Sequence, residues 1–230
     1  MMKLYYTPGA CSHAPHILLR EAGLDFSLEK VDLAAKKTET GADYTKINPH
    51  GYVPALQLKD GTVLTEGPAI DQYIADLVPA KMLAPAAGTP ERYKLQSWLN
   101  FISTELHKQF SPLFGKTVPE EYKTMLKEKL AVRFDAVDAH LSGSKHLLGD
   151  TFSAADAYLY TVLNWAKYFA TPERPAMMSR PVGWWRCAAC ASGTSLSRTS
   201  ARSMSGERPS WISTLARPRS PSSSARSASG

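Results

Sequence analysis

Cys11 is the only cysteine in the first 186 residues. In "YYTPGACSHAPHILLREAG" (5–23) it follows a Pro8-Gly9 turn and precedes an apolar helical stretch. A sulfur at a helix start lies near unpaired backbone N–H groups and the positive end of the dipole, which favours the thiolate and predicts a lowered pKa. The alternative for a free cysteine is a small buried hydrophobe. Dithiol redox sites carry a second cysteine three residues on, and here Ala14 holds that place. Such a thiol can attack an electrophile or exchange with an external thiol, but it cannot close an internal disulfide. Two further stretches indicate which thiol. "YVP" (52–54) precedes a strand, and a cis Val53-Pro54 bond there turns a backbone N–H and C=O toward a peptide-like ligand. "TEGPA" (65–69) opens a helix at Glu66 and Gly67, whose amides can take a carboxylate while the Glu66 side chain takes an ammonium. Together these features suit a thiol compound with a zwitterionic amino-acid end. His13 and His16 flank the same turn, but their spacing with Cys11 matches no closed metal site, and no metal is expected.

The elements that position these groups follow from periodicity. "KLYYT" (3–7) reads as a strand, 12–22 as a helix stopped by Gly23, and "FSLEKVDL" (26–33) as a strand of period two. "YVPALQL" (52–58), the Asp60-Gly61 turn and "TVLTE" (62–66) read as a hairpin, followed by a helix over 68–78 with Pro68 in its first turn. A β-α-β unit followed by β-β-α gives a mixed four-stranded sheet of thioredoxin-like type, because the crossover demands a parallel pair and the hairpin an antiparallel one. The expected division is a thioredoxin-like domain over 1–79, a Pro/Ala-rich linker over 80–90, an all-α domain over 91–169 and a tail over 170–230. In the second domain, 91–110 and 119–141 read as antiparallel helices. Ser153 with Asp156 three residues on is a capping-box pattern that starts a helix apolar nearly all round, the expected centre of that domain.

Charge separates the tail from the rest. The chain carries a net +6, yet residues 1–169 hold 15 Lys and 3 Arg against 19 acidic residues, while 170–230 hold 9 Arg, no Lys, 2 Glu and 15 Ser. A segment so poor in aliphatic residues buries too little apolar surface to offset its ordering entropy, and disorder is its expected state. Nucleic-acid binding could reside only there and is a minor reading. The abrupt switch in composition near residue 170 suggests translation from a shifted reading frame. The low cysteine count, the lack of a leader and the lack of any apolar run of about 18 residues point to a cytoplasmic protein away from membranes.

The stretches "KLYYTPGACS", "DLAAKKTETGADY", "INPHGYVPALQL", "LTEGPAI", "WLNFISTELHKQFSPLF" and "LLGDTFSAADAYLY" together resemble a bacterial beta-class glutathione S-transferase, from Met2 to about Phe169. The resemblance implies that Cys11 contacts glutathione or forms a mixed disulfide with it. It places Lys36 near the glycine carboxylate, Val53 before cis-Pro54 on the cysteinyl part, and Glu66 and Gly67 on the γ-glutamyl end. Asn100, Thr104, Glu105, Leu106 and His107 match positions that approach glutathione, partly across a homodimer interface, and His107 and Lys108 border the cleft for a hydrophobic electrophile. The implied activity is glutathione conjugation, with thiol transfer, peroxide reduction or reductive dehalogenation through Cys11 as related chemistry in detoxification. A glutathione-binding or stress protein of the same fold without turnover is the alternative.

Overall fold

In the computed structural model the described residues are 1–169, so the expected tail at 170–230 and the frame-shift reading lie outside them. Among the described residues five strands form one sheet in the order β3-β2-β1-β4-β5. They are β1 (Met2–Tyr6), β2 (Phe26–Asp32), β3 (Lys37–Thr38), β4 (Ala55–Gln57) and β5 (Val63–Thr65). β1 runs parallel to β2, with Leu4 opposite Leu28, and antiparallel to β4, with Leu4 opposite Leu56. The β4–β5 hairpin is antiparallel, as its Asp60-Gly61 turn predicts. β3 corrects the four-strand expectation. It has only two residues, too few to carry a period, and is held by the Thr38 N–H on the Ala42 carbonyl at 2.9 Å and by the left-handed backbone of Lys36, φ 54°.

Helix α1 (His13–Ala22) crosses between β1 and β2 and ends where Gly23 turns left-handed at φ 68°. Helix α2 (Gly67–Asp76) follows the hairpin. Alternation along the strands sends Leu4 and Leu56 to the face covered by Ala14, Leu18, Ile70 and Ile74, all within the main core. Tyr5, Ala55, Val31 and Tyr44 pack on the other face, where Val53 joins them.

The segment read as a linker is pinned rather than loose. Leu83 is buried and its carbonyl accepts the Ala154 N–H at 2.9 Å. Buried Arg92 donates through Nε to the Pro85 carbonyl at 2.7 Å and ion-pairs with Asp76 at the end of α2. After Thr89 caps it, α3 (Pro90–Phe101) departs from the single helix expected over 91–110. A π turn over Ile102–His107 leads into the short α4 (Lys108–Phe110), and a 3₁₀ turn over Ser111–Phe114 follows. The wider π winding keeps residues four apart in line, so Ile102, Leu106 and Phe110 all stay buried.

Helix α5 (Glu120–Ser142) returns antiparallel, and α6 (Ala154–Leu163) forms the buried centre, packing on α1, α2 and α3. Its capping box forms, with Asp156 as the hub. Asp156 Oδ2 accepts both the backbone N–H of Ser153 at 2.9 Å and its hydroxyl at 2.7 Å, while Oδ1 accepts the Leu147 N–H at 2.9 Å. One carboxylate thus fixes both the helix start and the loop before it. Beyond α6, the Trp165 indole N–H reaches the Gly9 carbonyl at 2.8 Å and ties the helical unit to the turn that carries Cys11.

Candidate functional site

A cleft of about 260 Å³ opens where the sheet's turns meet the helical unit, lined by Cys11, Val53, Pro54, Glu66 and Gly67 on one side and His107 and Lys108 on the other. Seven of the expected site residues therefore converge. Each arrives on a different element end: Cys11 on the turn before α1, Val53 on the approach to β4, Glu66 at the cap of α2, and His107 at the end of the π turn.

The Val53-Pro54 bond is cis, and the Val53 carbonyl accepts the Cys11 thiol at 3.1 Å. The thiol is therefore a donor here, and the expectation of a lowered pKa is corrected: burial pushes Cys11 up to about 12. The N–H groups of Cys11 and Ser12 do act in the anticipated direction, but burial outweighs them, and the negative charges of Asp71 and Glu66 add to the rise.

Glu66 holds φ 67° and ψ 115°, a backbone region that a non-glycine residue occupies at a cost of order 1–3 kcal/mol. Such strain is kept where the surrounding structure overrules it. Here the Tyr52 hydroxyl donates to Glu66 Oε1 at 2.6 Å, and that hydrogen bond pushes the Tyr52 pKa up to about 12. One helical turn below Gly67 on the same stripe of α2 lies Asp71. It is fully buried, and neither carboxyl oxygen has a hydrogen-bond partner among the described residues. Burial raises its pKa well above the ordinary carboxyl range.

On the helical wall, His107 Nδ1 lies 2.6 Å from the Tyr158 hydroxyl, and its ring packs edge-on against Trp165 at 4.8 Å. Burial, reinforced by Lys108, lowers the His107 pKa to about 4, so the ring is neutral at pH 7. Burial raises that of Tyr158, which keeps its proton.

Other expected residues go elsewhere. Leu106 is fully buried in the core and does not line the cleft: the π turn that aims His107 at the cleft turns Leu106 inward. Glu105 pairs with Arg133 of α5 at 2.8 Å. Asn100 and Thr104 are exposed and do not line the cleft, and the Thr104 hydroxyl donates to the Asn100 carbonyl at 3.0 Å. Lys36 lies off the cleft as well, donating through Nζ to the Gly51 carbonyl at 2.6 Å, on the chain leading to Tyr52 and Val53.

Sequence reasoning missed Tyr52, Pro68, Ser103, Ser111 and Tyr158, which also line the cleft. Ser103 and Ser111 were signalled by their spacing of four on either side of His107. Tyr158 carried no signal, because it sits in a helix apolar nearly all round.

A thioredoxin-like sheet whose cis-proline loop faces a cysteine, closed by a helical unit with α6 at its centre, defines the glutathione transferase fold. The chain matches "Glutathione S-transferase, N-terminal domain" over residues 9–77 and "Glutathione S-transferase, C-terminal domain" over 101–173. It is 53% identical over 165 residues to glutathione S-transferase GstA of Escherichia coli O157:H7, covering 72% of this chain and 82% of that protein. Among solved structures it is similar to the sphingomonad glutathione S-transferase complexed with glutathione, at 46% identity and TM-score 0.78, over 83% of this chain and 96% of the other. The beta-class enzyme of Sphingomonas chungbukensis gives 42% and 0.72, over 83% and 98%. The chain belongs to the glutathione S-transferase family and is a glutathione transferase. No helix among the described residues is long and apolar enough to cross a membrane.

Proposed function

We propose that the cleft binds glutathione and conjugates it to a small electrophile. Residues 1–79 bind the peptide, and the helical residues 91–169 supply the wall facing the electrophile. The observation that carries this reading is the Cys11 thiol donating to the Val53 carbonyl beside cis-Pro54, across the cleft from His107 and Lys108. A backbone strand of glutathione can pair with the N–H and C=O of Val53. The γ-glutamyl ammonium then takes Glu66 and its carboxylate takes the first turn of α2. The glycine carboxylate extends past Val53 toward Gly51, where Lys36 waits.

With its pKa raised, Cys11 acts chiefly as a hydrogen-bond donor. Once glutathione is seated, the S–H turns from Val53 to the glutathione sulfur and stabilises its thiolate, the attacking group. The thiolate forms a C–S bond at the electrophilic carbon, the leaving group departs with the bonding pair, and the thiol proton goes to solvent. Holding the peptide by both charged ends supplies positioning. Exchange with a disulfide through Cys11, giving a mixed disulfide, is the related thiol-transfer chemistry. A homodimer gives Asn100 and Thr104 a second copy to face, and a cytoplasmic, reducing setting fits the lone cysteine of the cleft.

The test is conjugation of glutathione to 1-chloro-2,4-dinitrobenzene by the full chain. The reading requires a rate that saturates in glutathione and falls about tenfold or more in kcat/KM for Glu66→Gln, the loss of one charge-assisted bond. Retention on immobilised glutathione with no turnover of any electrophile, peroxide or disulfide supports the binding-protein alternative instead.

A further inference from the structure

Glutathione bound as proposed leaves one charge of the cleft unmatched. Its carboxylates and its ammonium are distributed over Lys36, the start of α2 and Glu66, all on the thioredoxin-like side. Across the cleft, Ser103, His107 and Ser111 recur every four residues along the π turn and the turns after it, and Lys108 stands beside His107. These four side chains can all donate hydrogen bonds, and none is negative. Lys108 is exposed, and no ion pair engages it among the described residues. Glu105, three residues before it, is drawn away to Arg133. Among the described residues the one carboxylate lining the cleft, Glu66, already accepts the Tyr52 hydroxyl from the opposite side.

The neutral His107 ring extends this donor surface. Tyr158 keeps its proton and lies 2.6 Å from Nδ1. When the phenol donates to Nδ1, the remaining ring proton sits on Nε2, and the imidazole becomes a neutral donor next to a cation. A purely apolar electrophile uses none of this. It leaves the Lys108 ammonium and the imidazole N–H facing it with nothing to accept from them, while the Ser111 hydroxyl, now on the His107 carbonyl, is free to turn to an anionic oxygen.

Resting on the glutathione reading above, we propose that the electrophile this cleft selects is an organic anion. It carries a carboxylate or comparable anionic oxygen on the ring or short chain that bears the reacting carbon, held by Lys108 and by the donors of His107, Ser103 and Ser111. The electrophile's flat body packs on Tyr52, Pro68 and Tyr158, and its anionic group turns to the helical wall. This places a positive charge on the side of the ring where negative charge accumulates as the C–S bond forms.

The test uses a matched pair, 4-chloro-3-nitrobenzoate and its methyl ester, with the full chain and glutathione. In both, the glutathione thiolate forms a C–S bond at the chlorine-bearing carbon and chloride leaves with the bonding pair. Each kcat/KM is divided by the uncatalysed rate with glutathione, which removes the ester's greater intrinsic reactivity. The carboxylate-to-ester ratio should exceed one. It should fall about three- to tenfold in Lys108→Gln, the range for a partly exposed ionic hydrogen bond, and fall further in Lys108→Glu. Raised salt should lower the wild-type ratio toward that of Lys108→Gln.

A ratio at or below one in the wild type, or a ratio unchanged by either substitution, overturns the proposal. So does a Lys108→Gln variant that raises KM for glutathione equally with both probes, because Lys108 then serves the peptide. A failure of the underlying reading looks different: neither probe, nor 1-chloro-2,4-dinitrobenzene, is consumed faster with enzyme than without it.

Discussion

Removing the Asp71 carboxyl should stabilise the protein, by an amount that grows with pH. Asp71 is fully buried on α2, and neither of its oxygens has a partner among the described residues. A buried polar group left unpaired costs about 1–3 kcal/mol, so Asp71→Leu, which keeps the branched shape and removes the polarity, should gain up to that much, less what its bulkier methyl groups cost in packing. For a chain of this length that raises Tm by about 2–4 °C per kcal/mol. The pH dependence has a definite sign. Burial raises the folded-state pKa well above the usual value, while the unfolded side chain ionises near 3.9. The fold therefore holds a proton that the unfolded chain has lost, and stability falls as pH rises from about 4 to the folded-state pKa, by up to about 1.4 kcal/mol per pH unit. His13, His16 and His107 run the other way. Burial lowers each to about 4, so their contribution to stability rises between about pH 4 and 6.5 and is flat above. Asp71→Asn isolates the acid, because the histidines remain in both proteins. Thermal unfolding of wild type and Asp71→Asn from pH 4 to 9 should show the variant's advantage widening from pH 4 upward, then levelling once Asp71 ionises within the fold. An advantage that does not change with pH, or a variant less stable throughout, refutes the reasoning.

Three further outcomes are expected. In the empty protein, alkylation of Cys11 by iodoacetamide should be slow at pH 7 and still climbing at pH 10, because burial pushes the thiol to about 12; a rate that levels near pH 7 contradicts the burial argument. Urea unfolding should show that Ser153→Ala costs about 1 kcal/mol, the loss of a cap. Asp156→Ala should cost more, about 2–3 kcal/mol, since it also strands the buried N–H groups of Ser153 and Leu147; equal costs for the two would show that Asp156 is not the hub. Trp165→Phe removes the indole N–H bond to the Gly9 carbonyl while keeping most of the ring packing. It should cost about 1 kcal/mol in the same measurement and speed proteolysis of the 5–12 turn, and unchanged proteolysis argues against a tie between the two units.

Much of this was legible in the sequence because periodicity reports which face an element buries. The β-α-β order, the Asp60-Gly61 hairpin and the α6 capping box each rest on a local pattern that the fold keeps. The π turn was not legible: Ile102, Leu106 and Phe110 at spacing four read as one face of an α-helix whether or not the backbone widens between them. Leu106 reads as part of that apolar face, and the family resemblance alone sets it near the ligand; its side chain lies in the core. The two-residue β3 is too short to show any period. For Cys11, the helix-start argument anticipated the pull of the local amides and not the burial that outweighs it. Local amides are visible in the sequence, whereas burial and the distant carboxyls of Glu66 and Asp71 depend on how α2 packs beside the turn. Tyr158 shows the same limit, since only the cleft reveals that one hydroxyl of an apolar helix faces His107.

The central claim is that glutathione lies in this cleft with its sulfur at Cys11 and its γ-glutamyl end at Glu66. Protection of Cys11 from alkylation at pH 9 by S-methylglutathione, read by peptide mass mapping, tests it most directly. Saturable protection of Cys11 that spares Cys187 and Cys190, and that needs a markedly higher concentration in Glu66→Gln, is the predicted result. Alkylation of Cys11 at the same rate with and without the analogue, in a protein that still conjugates glutathione, would contradict it.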